Sequence, residues 1–71
     1  MKQQYTAVIK QDRDWWIGWI EEIPGVNCQE DSRDKLVESL RITLAEAIEL
    51  NRQDARAAAG PKFEELLLDP R

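Results

Sequence analysis

The chain has 71 residues, carries 14 acidic against 10 basic side chains for a formal charge of −4, and contains no histidine. That length holds one domain, residues 1–71, with a small core, and the acidic balance argues against a surface built to neutralise phosphates. A lone Cys28 excludes an intrachain disulfide and the missing histidine removes the commonest transition-metal ligand, so self-association is the remaining stabilising device. No apolar run has membrane-spanning length, and Met1-Lys2-Gln3-Gln4 does not lead into a signal peptide, so a cytoplasmic protein is expected.

From Gln4 to Lys10 the residues alternate, with Tyr5, Ala7 and Ile9 on one side and Thr6, Val8 and Lys10 on the other, which predicts a strand. Gln11-Asp12-Arg13-Asp14 is polar and lacks Gly or Asn, which predicts a hairpin with a longer loop built on a type I turn. Trp15 to Glu21, aromatic and β-branched, predicts a second strand. Pro24-Gly25 marks the next turn, and Val26 to Gln29 a short third strand, which completes an antiparallel meander.

The period then changes. Asp31 and Ser32 are both helix-cap candidates, and Asp34 falls in the first turn where the helix dipole favours a negative charge. Leu36, Val37, Leu40, Leu44, Ala47 and Ile48 recur at spacings of three and four, one apolar face of an α-helix. Gly60-Pro61 ends it; one long helix and a break near Asn51 both fit the pattern. Residues 62–69 match a strand or a single helical turn, and a strand is expected because the sheet has an open edge. The fold class is therefore α+β, a three-stranded antiparallel meander, a long helix and a fourth strand (β-β-β-α-β).

Three tryptophans stand within Trp15-Trp16-Ile17-Gly18-Trp19. Alternation puts Trp15, Ile17 and Trp19 on one face of the strand and Trp16, Gly18 and Ile20 on the other, with Gly18 marking a close backbone approach. A single helix covers only one face of so small a sheet, so part of this aromatic surface is expected to meet another chain. The competing reading is a core face backed by a half-solvated tryptophan. Glu21, Glu22, Glu30, Asp31 and Asp34 read either as an acidic patch that receives a basic partner or as solvated loop and cap residues. A base-stacking platform would need a positive groove that these residues oppose. Without histidine, and with Cys28 next to Gln29, Glu30 and Asp31, there is no set for nucleophilic or acid–base catalysis. The chain reads as a non-enzyme without cofactor or metal, and Cys28 as a small hydrophobe.

Taken in order, these pieces resemble the HicB-like antitoxins. The likeness runs from Tyr5-Thr6-Ala7-Val8-Ile9 through Asp14-Trp15-Trp16-Ile17-Gly18-Trp19-Ile20 and the turn Glu21-Glu22-Ile23-Pro24-Gly25-Val26. It continues in the helix start Asp31-Ser32-Arg33-Asp34-Lys35-Leu36 and in Leu44-Ala45-Glu46-Ala47-Ile48-Glu49-Leu50. Glu30 stands where such proteins often carry a glycine, and Arg71 is not followed by the DNA-binding domain many of them have, so operator binding is not implied. The resemblance implies a partial ribonuclease-H-like or double-stranded-RNA-binding-like fold and a role in masking a small basic RNA-cleaving toxin. Expected partners are a second copy of the chain and such a toxin, with no direct nucleic acid and no membrane. The expected interface is Trp15, Trp16, Trp19, Glu21 and Glu22; the alternative is a stand-alone homo-oligomer of the same fold.

Overall fold

The computed structural model describes residues 4–70; the leader reading of Met1 to Gln3 and the extreme residue Arg71 lie outside them. Three strands, β1 (Ala7–Asp12), β2 (Trp15–Ile20) and β3 (Asn27–Glu30), form an antiparallel sheet in the order β1-β2-β3, and one helix, α1 (Arg33–Ala59), follows. The predicted α+β meander and helix are thus present, with β1 and β3 each starting later than expected and β2 ending one residue early.

The β1–β2 hairpin departs from expectation. Asp12 pairs directly with Trp15, which leaves a two-residue loop, Arg13-Asp14, in place of a longer one. So short a connection needs positive φ to match the twist of the strands, and Arg13 supplies it at φ 59 although it is not a glycine. The register gives the reason. Shifting it by one residue would turn Trp16 and Ile20 out of the core, a larger loss than one residue in the left-handed region. Arg13→Gly should therefore raise stability by about 0.5–1 kcal/mol, the left-handed strain relieved less the extra chain entropy of glycine. A higher urea midpoint with unchanged slope is the check.

Glu21 N donates to Thr6 O at 2.9 Å beyond the strand ends, and Ile20 N donates to Val26 O at 3.3 Å across the Pro24-Gly25 turn. Gly25 takes φ 92 there, a conformation that favours glycine. Val26, read from sequence as the first residue of the third strand, lies just before it and is buried.

Ser32 caps α1: its Oγ accepts from Lys35 N at 3.2 Å, and its carbonyl accepts from Leu36 N at 3.0 Å. Asp31, the other cap candidate, instead pairs with Lys35 Nζ at 3.1 Å on the surface. Gly60 at φ 83 closes the helix. There is no break near Asn51. The helix is 27 residues long, about 40 Å, and only its first part packs. Leu36 and Leu40 are buried against Ile20 and Val26, with Tyr5, Ile9, Trp16, Ile23, Cys28, Leu44 and Ala47 closing around them. Val37 and Ile48, expected in the core, are half-buried at its margin. From Glu49 to Ala59 every residue is exposed. The overhang makes the molecule long, 50 × 25 × 15 Å, with a radius of gyration of 15.2 Å against about 11 Å for a compact chain of this length.

The fourth strand does not form among the described residues. Residues 62–69 are irregular, and Leu66, Leu67 and Leu68 are 75%, 99% and 80% exposed. Arg56 Nε donates to Glu65 Oε1 at 3.1 Å and ties the segment to the helix end.

Candidate functional site

Strand alternation and the register place every residue of the sheet on one of two faces. The helix covers the face of Trp16, Gly18 and Ile20, together with Ile9 on β1 and Cys28 on β3. A β-carbon built on Gly18 would stand 3.0 Å from Leu40 Cδ1, from Ile9 Cγ2 and from Val8 O. The close approach expected at Gly18 is therefore present, and it is what lets α1 settle directly over β2. Two side-chain contacts pin the helix to β3: Ser39 Oγ donates to Glu30 Oε2 at 2.6 Å, and Cys28 Sγ donates to Thr43 Oγ1 at 3.5 Å. Cys28 is half-buried and unpaired with any other cysteine.

Among the described residues the opposite face has no layer over it. Trp15 (48% exposed) and Trp19 (37%) flank the half-buried Ile17 along β2. Register sets Val8 beside Trp19, Lys10 beside Ile17 and Asp12 beside Trp15 on one side, and Asn27 beside Trp19 and Gln29 beside Ile17 on the other. The result is an aromatic–aliphatic ridge with a narrow polar margin. Large indole rings on a flat strand present much contact area at a low entropy cost, the property that makes tryptophan common among binding hot spots.

The structure splits the residues singled out from sequence. Trp15 and Trp19 share the open face, while Trp16 belongs to the helix side and packs against the core. The five acidic residues do not assemble. Glu30 pairs in register with Trp16 at the hairpin end of β2, whereas Glu21 and Glu22 follow its other end, about 16 Å away at strand rise. Glu30 is engaged by Ser39 and Asp31 by Lys35. Glu22 is engaged as well: its Oε1 accepts from Thr6 N at 2.8 Å. Pro24 and Gly25 shape the turn behind Glu22 and are exposed. Val8, Ile17, Asn27 and Gln29 complete the face. Alternation already places Ile17 there; the signal that adds Val8, Asn27 and Gln29 is register, which becomes available once the two-residue hairpin is fixed.

The Thr6 hydrogen bond holds the Glu22 carboxyl below its ordinary range. A depressed folded-state value means that the contact's contribution is complete above the unfolded value and is lost as pH falls through the folded one. In an NMR titration the Thr6 amide shift should move with a midpoint below that of an unperturbed glutamate. A midpoint at the ordinary glutamate value would show that the bond does not persist in solution.

Among the described residues no group of His, Cys, Asp and Glu could hold a metal ion, and no helix is long and apolar enough to cross a membrane. Comparison with protein-family models, with curated proteins and with solved structures gives no match.

Proposed function

We propose that this chain is a protein-binding module of the HicB-like antitoxin type, whose open Trp15/Ile17/Trp19 face covers a small basic RNA-cleaving toxin. The observation that carries the reading is that uncovered face: two large aromatic side chains and an isoleucine on a strand whose other side is already filled by α1. Three further points support it. The net charge of −4 favours a basic partner, and Glu21 and Glu22 bring two carboxylates to one end of the ridge. The order of motifs from Tyr5 to Leu50 is that of the resemblance described above, and the partial ribonuclease-H-like likeness goes with it. The mechanism is occlusion. The indoles are buried against the toxin, water is excluded around them, and the carboxylates occupy the charge that RNA would otherwise meet.

The test is inhibition of RNA cleavage by a small basic ribonuclease encoded beside this chain. Trp19→Ala should weaken inhibition about 30-fold, the loss of a ~2 kcal/mol hot spot, while circular dichroism and thermal stability stay as in the parent chain. Unchanged inhibition by Trp15→Ala and Trp19→Ala chains would remove this face from the interface, and absence of any such ribonuclease would remove the toxin. In the second reading the chain is a stand-alone homo-oligomer. The exposed leucines after α1 favour it.

A further inference from the structure

The largest unsatisfied feature of the molecule lies away from the tryptophan ridge. Phe63 and Leu66 to Leu68 are all at least half exposed, and none has a place in the core. At the other end of the molecule β1 pairs, among the described residues, only with β2, so its outer edge has free backbone groups there. Beside that edge, on the helix side, runs an apolar groove of about 310 Å³ lined by Tyr5, Ala7, Val37, Leu40 and Leu44, with Arg41 at its rim.

We infer that the segment Phe63–Leu68 of one copy adds as a fourth strand to the β1 edge of a second copy, and that two chains exchange these segments reciprocally. The alternation fits the site. Leu66 and Leu68 project to one side of an extended segment and Leu67 to the other. A strand against β1 would meet the groove on its helix side and Val8 with Trp19 on its open side, so three consecutive leucines all find apolar surface. Glu64 shares the parity of Leu66 and Leu68 and comes to the side of Arg41, which makes no ion pair among the described residues.

Reach selects a second copy over the chain's own sheet. Leu40 lies about 28 Å back along the helix axis from Ala59, whereas the chain from Ala59 to Leu66 spans at most about 24 Å fully extended. Phe63, four residues past the helix end, gets no further back than the level of Leu50, about 14 Å away. Fully extended, Leu66 to Leu68 just return to the level of Leu44, about 22 Å back, while Phe63 to Glu65 fall short of the groove. With α1 intact to Ala59, the whole segment therefore cannot pair along its own β1. Another copy has no such tether. A two-fold exchange fills both grooves and closes, so the assembly stops at a dimer.

The full chain is tested by light scattering over a dilution series, beside Leu66→Asp/Leu67→Asp/Leu68→Asp. The parent chain should be a dimer and the triple variant a monomer, at least 100-fold weaker in self-association. These side chains are exposed, so the variant should keep its helical circular dichroism. Trp15→Ala, at the hairpin end of the ridge and paired with Asp12 rather than Val8, should dimerise as the parent does, which separates this association from the toxin-masking reading. In a Cys28→Ser background, chains with only Val8→Cys are mixed with chains with only Leu67→Cys, and the mixture should form an interchain disulfide. A monomeric parent, a dimer that survives the triple substitution, or a Val8→Cys/Leu67→Cys chain that closes its disulfide within a monomer would each overturn the inference.

Discussion

Leu36→Ala should cost about 2–5 kcal/mol, the range for truncating a fully buried leucine. Leu36 is 0% exposed, and its position explains why the whole fold depends on it. It is the fourth residue of α1, its amide is bound to the Ser32 carbonyl at the cap, and its side chain enters the cluster of Ile20, Val26 and Leu40. It therefore joins the helix start, the end of β2 and the turn before β3. Only four apolar side chains are buried among the described residues, so little surrounds the resulting cavity that could collapse into it. A chain of this length has about 4–11 kcal/mol of stability in total, and the substitution removes a large part of that. The urea midpoint followed by circular dichroism should fall steeply with its slope unchanged. Leu50→Ala is the control: Leu50 is on the same helix but 58% exposed, and a change within about 0.5 kcal/mol is expected. Equal losses at the two positions would mean that the overhanging half of α1 is packed in solution. If the chains exchange strands, Leu36→Ala will also show a midpoint that rises with protein concentration, because assembly then contributes to stability.

Much of this architecture is legible from periodicity. Tyr5 and Ile9 are placed on one side of the first strand by alternation. The division of β2 into a Trp15/Ile17/Trp19 face and a Trp16/Gly18/Ile20 face follows from it, though not which of the two the helix takes, and Ser32 and Gly60 bound α1 as their chemistry suggests. The failures have physical causes. A longer hairpin loop is expected because Gln11-Asp12-Arg13-Asp14 lacks Gly or Asn; strand register outweighs that local preference at Arg13. The acidic residues look clustered along the chain, but β3 runs back beside β2 and carries Glu30 to the end opposite Glu21 and Glu22. A strand at 62–69 is expected from the open edge of the sheet and from the resemblance, since the residues themselves fit a strand or a helical turn equally. A strand exists only through its pairing, and the run from Arg52 to Ala59, rich in alanine, keeps α1 helical and carries Phe63–Leu68 away from its own sheet. If two chains exchange this segment, its becoming a strand is a property of both, and one sequence read as a single chain does not contain it. Trp15 and Trp19 are legible as a surface; the partner proposed for them is not part of this sequence.

Gly18→Ala should lower the melting temperature by about 5–20 °C, which corresponds to a cost of about 1–3 kcal/mol for overpacking a tight contact in a domain of this size. The added methyl would meet three atoms at 3.0 Å. Two of them, Ile9 Cγ2 and Leu40 Cδ1, end side chains that can rotate aside. The third, Val8 O, belongs to the backbone of the strand hydrogen-bonded alongside, and it yields only if the β1–β2 ladder is disturbed or α1 lifts. The larger Gly18→Val should cost more, since its second shell of methyls would enter the Leu40 contact itself. Near-ultraviolet circular dichroism distinguishes the two responses. Lifting α1 changes the environment of Trp16, which packs under the helix, and leaves Trp15 and Trp19 in solvent. A Gly18→Ala chain that melts with the parent would show that the helix stands further from β2 than 3.0 Å contacts allow. Gly18 also separates the roles of the two faces. It holds the helix close on one side while the indoles stay free on the other, so a folded Gly18→Ala chain should lose stability yet keep its affinity for the partner of Trp15 and Trp19. Parallel losses of both would mean that the ridge is formed only when α1 presses β2 flat, and that the core glycine belongs to the binding surface as much as the tryptophans do.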